Sequence, residues 1–200
     1  MAGAAEGLIG PNAVLQMLPQ IERLGGRDRV DRMLAAAGIL EVPDGSAMIP
    51  EGDAARLHRL IRAEEPVLAP ELAAAAGDAT ARYILAHRIP KAAQHLMRVL
   101  PAWGAVRLLS RAIAAHAWTF AGSGEFSAQS PWRFEILSNP VIRGEVSTTP
   151  LCAWHAAVFE GLYRTLVHPA CRCVETRCGA QPGCDTCAFE ISLAATNPSR

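Results

Sequence analysis

Residues 152–193 read CAWHAAVFEGLYRTLVHPACRCVETRCGAQPGCDTCAFEISL, and they hold all six cysteines of the 200-residue chain. The first part has helical spacing: Leu151, Trp154, Val158, Leu162 and Leu166 fall along one side, and Pro169 stops the run. After the proline the period changes from helical to alternating. CRCVETRC (171–178) and CAFEISL (187–193) read as strands, and in the second Cys187, Phe189, Ile191 and Leu193 share a face. Just upstream, in WRFEILSNP, Trp132, Phe134 and Ile136 alternate with Arg133 and Glu135, the pattern of a strand with one buried face; GEFSAQS (124–130) is its candidate hairpin partner. The expected class is α+β: an antiparallel sheet of about four strands packed against a helical layer.

The cysteines 171–187 are spaced C-x-C-x4-C-x5-C-x2-C, which is compatible with a metal site, with disulfides or with a nucleophile. The N-terminus MAGAAEGLIGPNAVLQMLPQ has no basic region before an apolar run, and Pro11 and Asn12 interrupt it where an export signal would continue. No uncharged stretch reaches the ~18 residues a transmembrane helix needs. The chain therefore reads as soluble and cytoplasmic, in a compartment where structural disulfides are rare. The first 151 residues hold no cysteine and look able to build a core unaided, so metal is favoured over bridges. The C-x2-C of Cys184 and Cys187 is a common way to present two thiolates to zinc. Some of the cysteines also fit as small buried hydrophobes.

The remainder of the chain is helical. Helices are expected over 11–24, 27–37, 51–63, 71–88, 91–100 and 102–120, with Gly25-Gly26 and Gly38 as punctuation, Gly77 tolerated inside a long helix, and Pro90 and Pro101 as starts. This divides the chain into an N-terminal helical segment, 1–65, and a ligand-binding domain, 66–195, with a frayed tail over 194–200. Nineteen basic residues balance nineteen acidic ones, and no helix-turn-helix is visible, which argues against a nucleic-acid partner. The one near-match to a dinucleotide loop, GSGEFS (122–127), lacks a third glycine and precedes a strand, so it reads as a hairpin entry.

The final third resembles the vinyl-4-reductase domain family, most specifically through V-E-T-R-C-G-A (174–180) followed by a cysteine that opens an apolar strand; the likeness runs over roughly residues 70–195. The resemblance implies a fold similar to TRAPP-complex subunits and to sensory modules of transcription activators. It implies a structural zinc on Cys152, Glu175, Cys178 and Cys187, a homodimer, and a place in bacteriochlorophyll biosynthesis and photosynthesis. Cys184 could replace Glu175 or Cys187, His155 is a further conceivable ligand, and an iron-sulfur cluster is the rival metal. Cys152 stands at a helix N-terminus, where the dipole favours a thiolate. A closed four-ligand site of this kind is structural.

The family name implies a 4-vinyl reductase, an oxidoreductase, yet no nucleotide-binding motif is present to supply reducing equivalents. Between Asp78 and Glu125 there is no acid, while Arg82, Arg88, Lys91, Arg98, Arg107 and Arg111 are interleaved with Tyr83, Met97, Trp103, Trp118 and Phe120. Arg98, Arg107, Trp103, Trp118 and His95 are thus candidate ligand-binding residues for a flat macrocycle carrying a carboxylate, a divinyl protochlorophyllide-type magnesium tetrapyrrole. The plainer reading makes them an ordinary solvated face and ordinary core. Two functions follow: a carrier or accessory factor for 8-vinyl (4-vinyl) reduction without catalytic residues, or the reductase itself with an external reductant. A ligand sensor is weaker. Expected partners are the pigment intermediate, a second copy and other bacteriochlorophyll-synthesis enzymes, in the cytoplasm or peripheral to the photosynthetic membrane.

Overall fold

The computed structural model describes residues 7–193. The expected frayed tail and the last two residues of the expected ligand-binding domain lie outside that range. The chain starts with a two-residue strand β1 (Leu8–Ile9), a helical turn α1 (Asn12–Leu15) and α2 (Leu18–Ala36). The helix expected over 11–24 is broken at Gln16-Met17. Pro19 has no N–H to donate and fits only a first helical turn, so α2 begins where the proline can be accommodated. The expected boundary at Gly25-Gly26 survives as a kink inside α2, with Gly26 at φ 70°.

Ile49–Pro50 forms β2, antiparallel to β1, a pair too short to leave an alternating pattern in the sequence. Then follow α3 (Glu51–Glu64), α4 (Ala69–His87), α5 (Lys91–Val99), α6 (Ala102–Ala115) and α7 (Trp118–Ala121). The helix expected over 102–120 divides at His116-Ala117, which leaves Trp118 on a separate short turn.

The sheet comprises β3 (Glu125–Ser130), β4 (Arg133–Leu137), β5 (Cys171–Arg177) and β6 (Thr186–Leu193), antiparallel throughout in the order β3-β4-β6-β5. Between β4 and β5 the chain makes a 3-10 turn at Pro140–Ile142 and then α8 (Ala153–Leu166). One face of the sheet carries ion pairs, Arg133 with Glu135 and Glu190, and Arg177 with Glu135. The other face buries Phe134, Ile136, Cys187, Phe189 and Ile191. A sheet with one dry and one wet face is what the alternating sequence predicts, and the α+β reading holds.

Helix α8 lies between sheet and α4, so it is buried on more than the expected stripe. Trp154, Val158, Leu162 and Leu166 are joined by His155, Phe159 and Tyr163. Phe159 meets Phe134, Phe189 and Phe120 at ring-centroid distances of 5.1, 5.3 and 5.4 Å, all edge-on, the favoured arrangement for aromatic pairs. On the other side α4 approaches so closely that a Cβ on Gly77 would stand 2.3 Å from the Trp154 carbonyl oxygen. Gly77 is therefore required by the crossing rather than merely tolerated. The short amphipathic helices over 11–37 are expected from sequence to need a second copy to cover them, but one cluster of buried side chains runs from Ile9 to Ile191 and takes in Val14, Met17, Ile21, Val30 and Met33, so their own chain covers them.

The loop 138–145 is tied to α3 through Glu51, Arg59 and Arg62, and Arg59 donates to the Arg143 carbonyl. The buried Glu51 carboxylate accepts from the Ser123 N–H and hydroxyl at 2.7 Å each and from Arg143 at 2.6 Å. Burial opposes the charge on Glu51, but these three donors outweigh it and hold its carboxyl below the usual range. Arg62 pairs with Glu145 and donates to the Val141 carbonyl at 3.2 Å. The crossing gives a direct test: Gly77→Ala should cost about 1–3 kcal/mol, since backbone rather than a flexible side chain must move, and should appear as a lower urea midpoint.

Candidate metal centre

Along β5 the buried positions are Cys171, Cys173 and Glu175, the inner face of a regular strand. Strict alternation would aim residue 178 to the opposite side from residue 175. The β5–β6 register shifts between Glu175 and Arg177, a bulge that inserts one residue, and after it Cys178 faces inward as well. The loop that follows is closed by its own bonds: the Cys178 N–H donates to Gln181 Oε1 at 2.9 Å, the Gln181 N–H to the Cys178 carbonyl at 3.0 Å, and the Cys184 N–H to the Gln181 carbonyl at 3.0 Å. The chain then enters β6, where Cys187 pairs opposite Ile136. Cys152 caps the start of α8.

These elements bring Cys152, Glu175, Cys178 and Cys187 together. All four are buried, and one ligand atom from each lies within 4.8 Å of every other. The Cys152 and Cys187 sulfurs are 3.4 Å apart. A tetrahedral zinc with bonds of about 2.3 Å would space its sulfurs by about 3.8 Å, so the group needs only small adjustments to close on an ion. Glu175 Oε2 accepts from the Cys152 N–H at 2.6 Å, while its other oxygen, Oε1, is buried without a partner. An orphaned carboxylate oxygen among three thiols is a donor set suited to a divalent cation.

The electrostatics point the same way. Burial pushes the Cys152 thiol well up, and burial followed by the neighbouring Cys178 raises Glu175 to about 8. Hydrogen bonds from Cys152 and Cys187 hold the Cys178 thiol down against its burial. To bind a divalent ion the thiols and the carboxyl must give up their protons, so binding here would release them.

A residue outside the four completes the surroundings. Asn139, 3% exposed, directs Nδ2 at both Cys152 Sγ (3.4 Å) and Cys187 Sγ (3.7 Å), and its Oδ1 accepts from the Val141 N–H at 3.1 Å. The Gly179 N–H adds a donor to Cys187 Sγ at 3.4 Å. The sequence marks Asn139 only as an Asn-Pro turn start, a signal that carries no hint of sulfur.

The other sulfur and imidazole candidates stand apart from the four. The half-buried Cys184 thiol donates to the Thr186 carbonyl at 3.2 Å. His155 Nε2 is 3.1 Å from the Phe120 carbonyl, which it can serve as donor. Cys171 and Cys173 fill the sheet face beside α8, as small buried hydrophobes do. The candidate pigment residues are all at the surface: His95 and Arg98 on α5, Trp103 and Arg107 on α6, Trp118 on α7. Trp103 is 66% exposed and Trp118 56%. Arg107 lies over the Trp103 ring, 5.8 Å from its centroid, and Arg98 reaches the Thr165 carbonyl at 3.4 Å. Two shallow concavities, of about 180 and 250 Å³, lie along β3 and beside the loop 138–145, and none of these five residues lines either.

The vinyl-4-reductase (V-4-R) domain matches residues 132–193, which contain β4, α8, β5, β6 and all four clustered residues. Over 92% of this chain and 89% of the relative, the sequence is 51% identical to the bacteriochlorophyll synthase 23 kDa chain of Cereibacter sphaeroides. The chain belongs to the vinyl-4-reductase-domain family of bacteriochlorophyll synthase 23 kDa chains. This family member is also 42% identical to the protein of the same name from Rhodobacter capsulatus, over 96% of this chain and 92% of that one. Its fold is shared with H-NOX proteins. A structure from a study of heme distortion in the H-NOX family aligns at TM-score 0.54 with 12% identity, over 96% of this chain and 97% of the other. An H-NOX protein from K. algicida aligns at 0.54 with 10% identity, over 94% and 98%.

If Asn139 holds two ligand sulfurs in place, Asn139→Leu in this vinyl-4-reductase-domain protein should weaken divalent-ion binding about 10–100-fold while the circular dichroism of the folded protein is kept. Competition against a chromophoric chelator measures the change.

Proposed function

We propose that this vinyl-4-reductase-domain chain serves bacteriochlorophyll biosynthesis by binding a magnesium tetrapyrrole of the divinyl protochlorophyllide type. In this reading it is a carrier or accessory factor for 8-vinyl (4-vinyl) reduction and holds a structural zinc at Cys152, Glu175, Cys178 and Cys187. The observation that carries the pathway is the 51% identity, across nearly the whole chain, to a relative named for bacteriochlorophyll synthesis. That relative is named as one chain of a synthase, which supports partners among the other enzymes of the pathway.

Zinc is favoured over an iron-sulfur cluster by the donor set, since such clusters are held by cysteines or histidines and this group includes a carboxylate. Four protein ligands leave no open position, so zinc bound here supplies cross-linking rather than chemistry. Cys152 would bring the start of α8 to the ion, and Glu175, Cys178 and Cys187 would bring the β5–β6 hairpin. Homodimer formation is proposed on the family resemblance and because two-fold pairing is the commonest closed assembly.

For the pigment, Arg98 or Arg107 offers a charge-assisted hydrogen bond to a carboxylate, and Trp103 and Trp118 offer exposed ring surface. A surface site leaves much of the macrocycle uncovered, which suits a carrier that must give its ligand up. An H-NOX structure with this fold is described in terms of heme distortion, and another solved structure with it in terms of porphyrin distortion, so the architecture is compatible with a macrocycle elsewhere. The protein would work in the cytoplasm or at the membrane face; among the described residues no helix is long and apolar enough to cross a membrane.

Purified protein should carry about one zinc per chain, and Cys178→Ser should release it and lower the melting temperature. Light scattering on the same sample should return twice the chain mass of 21.3 kDa. Iron with acid-labile sulfide in the elemental analysis would overturn the zinc reading. Absorption titration with divinyl protochlorophyllide should show saturable binding that Arg98→Ala or Arg107→Ala weakens about tenfold or more without moving the melting temperature. Sustained conversion of divinyl to monovinyl pigment with NADPH as the sole addition would replace the carrier by a reductase.

A further inference from the structure

Nearly every cation in the sheet and α3 has a carboxylate partner, but a run of cations in the middle of the chain does not. Arg82 pairs with Asp78. The next five cations in sequence, Arg88, Lys91, Arg98, Arg107 and Arg111, have no carboxylate within 4.0 Å among the described residues. They cannot acquire one locally, because residues 79–124 contain no acid, although the whole chain is neutral.

Four of these cations sit on α5 and α6, and the same helices expose large apolar side chains. Leu96 and Val99 on α5 are 49% and 63% exposed, and Trp103 and Leu108 on α6 are 66% and 40% exposed. The helices divide cleanly. Gln94 and Met97 of α5, and Ala105, Val106, Leu109, Ser110 and Ile113 of α6, face the protein. At about 100° per residue, Trp103, Arg107, Arg111 and Leu108 fall within about 140° of one another on the opposite side of α6. Val99, the last residue of α5, and Trp103, in the first turn of α6, flank the Leu100-Pro101 corner. Arg107 lying over Trp103 presents a cation and an aromatic plane as one unit.

Exposed apolar groups of this size, concentrated on one hairpin, mark an interaction surface. The chemistry selects the partner. Tryptophan and arginine together favour the headgroup level of a bilayer, where an aromatic body is buried and a polar tip stays wet. Unpaired cations with no interspersed acid are attracted to anionic lipid and would gain nothing from a neutral one. The apolar groups line neither the concavity along β3 nor the one beside the loop 138–145, and an exposed helical face that mixes cations with apolar side chains suits a lipid surface.

We propose that the α5–α6 hairpin docks this protein on an anionic membrane surface. Leu96, Val99 and Trp103 enter the headgroup region, and Lys91, Arg98, Arg107 and Arg111 meet lipid phosphates. Docking deepens the carrier reading, because it places the surface residues assigned to the pigment at the phase where an apolar macrocycle collects; it rests on that reading for its purpose, while the lipid contact itself needs no pigment.

The test uses pigment-free protein with vesicles of phosphatidylcholine alone and of an equal mixture with phosphatidylglycerol. The protein should sediment with the mixed vesicles only, and added salt should release it. Trp103→Ser should weaken the association about tenfold and Arg111→Gln about fivefold, each with an unchanged melting temperature. Equal binding to both vesicle types, binding to neither, or full binding by both variants overturns the proposal; a hairpin that serves a protein partner leaves the protein in the supernatant with both. A pigment titration in vesicle-free buffer is scored separately. Loss of pigment binding with vesicle binding intact removes the carrier and keeps the docking surface, and the converse result does the opposite.

Discussion

Three thiols and a carboxyl buried within 4.8 Å of one another cannot all ionise unless something positive sits among them. The arrangement of the last third of the chain follows from satisfying that demand. Backbone and side-chain N–H groups converge on the sulfurs and on Glu175, from Asn139, Gly179 and Cys152 itself. Each donor belongs to a different element: the loop after β4, the turn after β5, the start of α8. The local charge problem thereby fixes how a helix, a hairpin and a loop meet. Because that loop is bound to α3 through Arg143–Glu51 and Arg62–Glu145, the position of the helical layer is linked to the same cluster.

Much of this was legible in the chain before folding. Trp132, Phe134 and Ile136, and Cys187, Phe189 and Ile191, alternate so regularly that two strands and their buried face follow, and the stripe from Trp154 to Leu166 marks α8 with its direction of packing. Cys152, Glu175, Cys178 and Cys187 could be singled out through the family likeness, and they stand together here. What escaped notice depends on contacts between distant segments. Asn139 looks like any turn residue until two sulfurs arrive beside it. Gly77 looks like a weak point in a helix until Trp154 crosses it. The β1–β2 pair has two residues on each side and no period to detect. The second surface of α8 was missed because one stripe suffices for a helix on a sheet, whereas this helix is covered by α4 as well.

The open face of the sheet and the helices α5 and α6 handle charge differently. On the open face of the sheet Arg133, Arg177, Glu135 and Glu190 neutralise one another across strands, and such exposed pairs contribute little to stability while keeping an otherwise flat surface from attracting neighbours. On α5 and α6 the cations have no carboxylate partner among the described residues, and exposed apolar side chains lie on the same helices. A neutral total thus conceals a segment, residues 79–124, that carries cations and no acid.

The bulge between Glu175 and Arg177 bears on how such a site can be kept through insertions and deletions. Glu175 and Cys178, separated by two residues, share a face only because the strand carries one residue more than its partner there. Remove Thr176 and the bulge together, and the glutamate and cysteine become next-but-one neighbours on a regular strand, still facing inward. Straighten the strand while keeping every residue, and the cysteine turns to the solvent face. The spacing of the two clustered side chains and the irregularity of the ladder are therefore a single heritable unit: chain length here is negotiable, and phase is not.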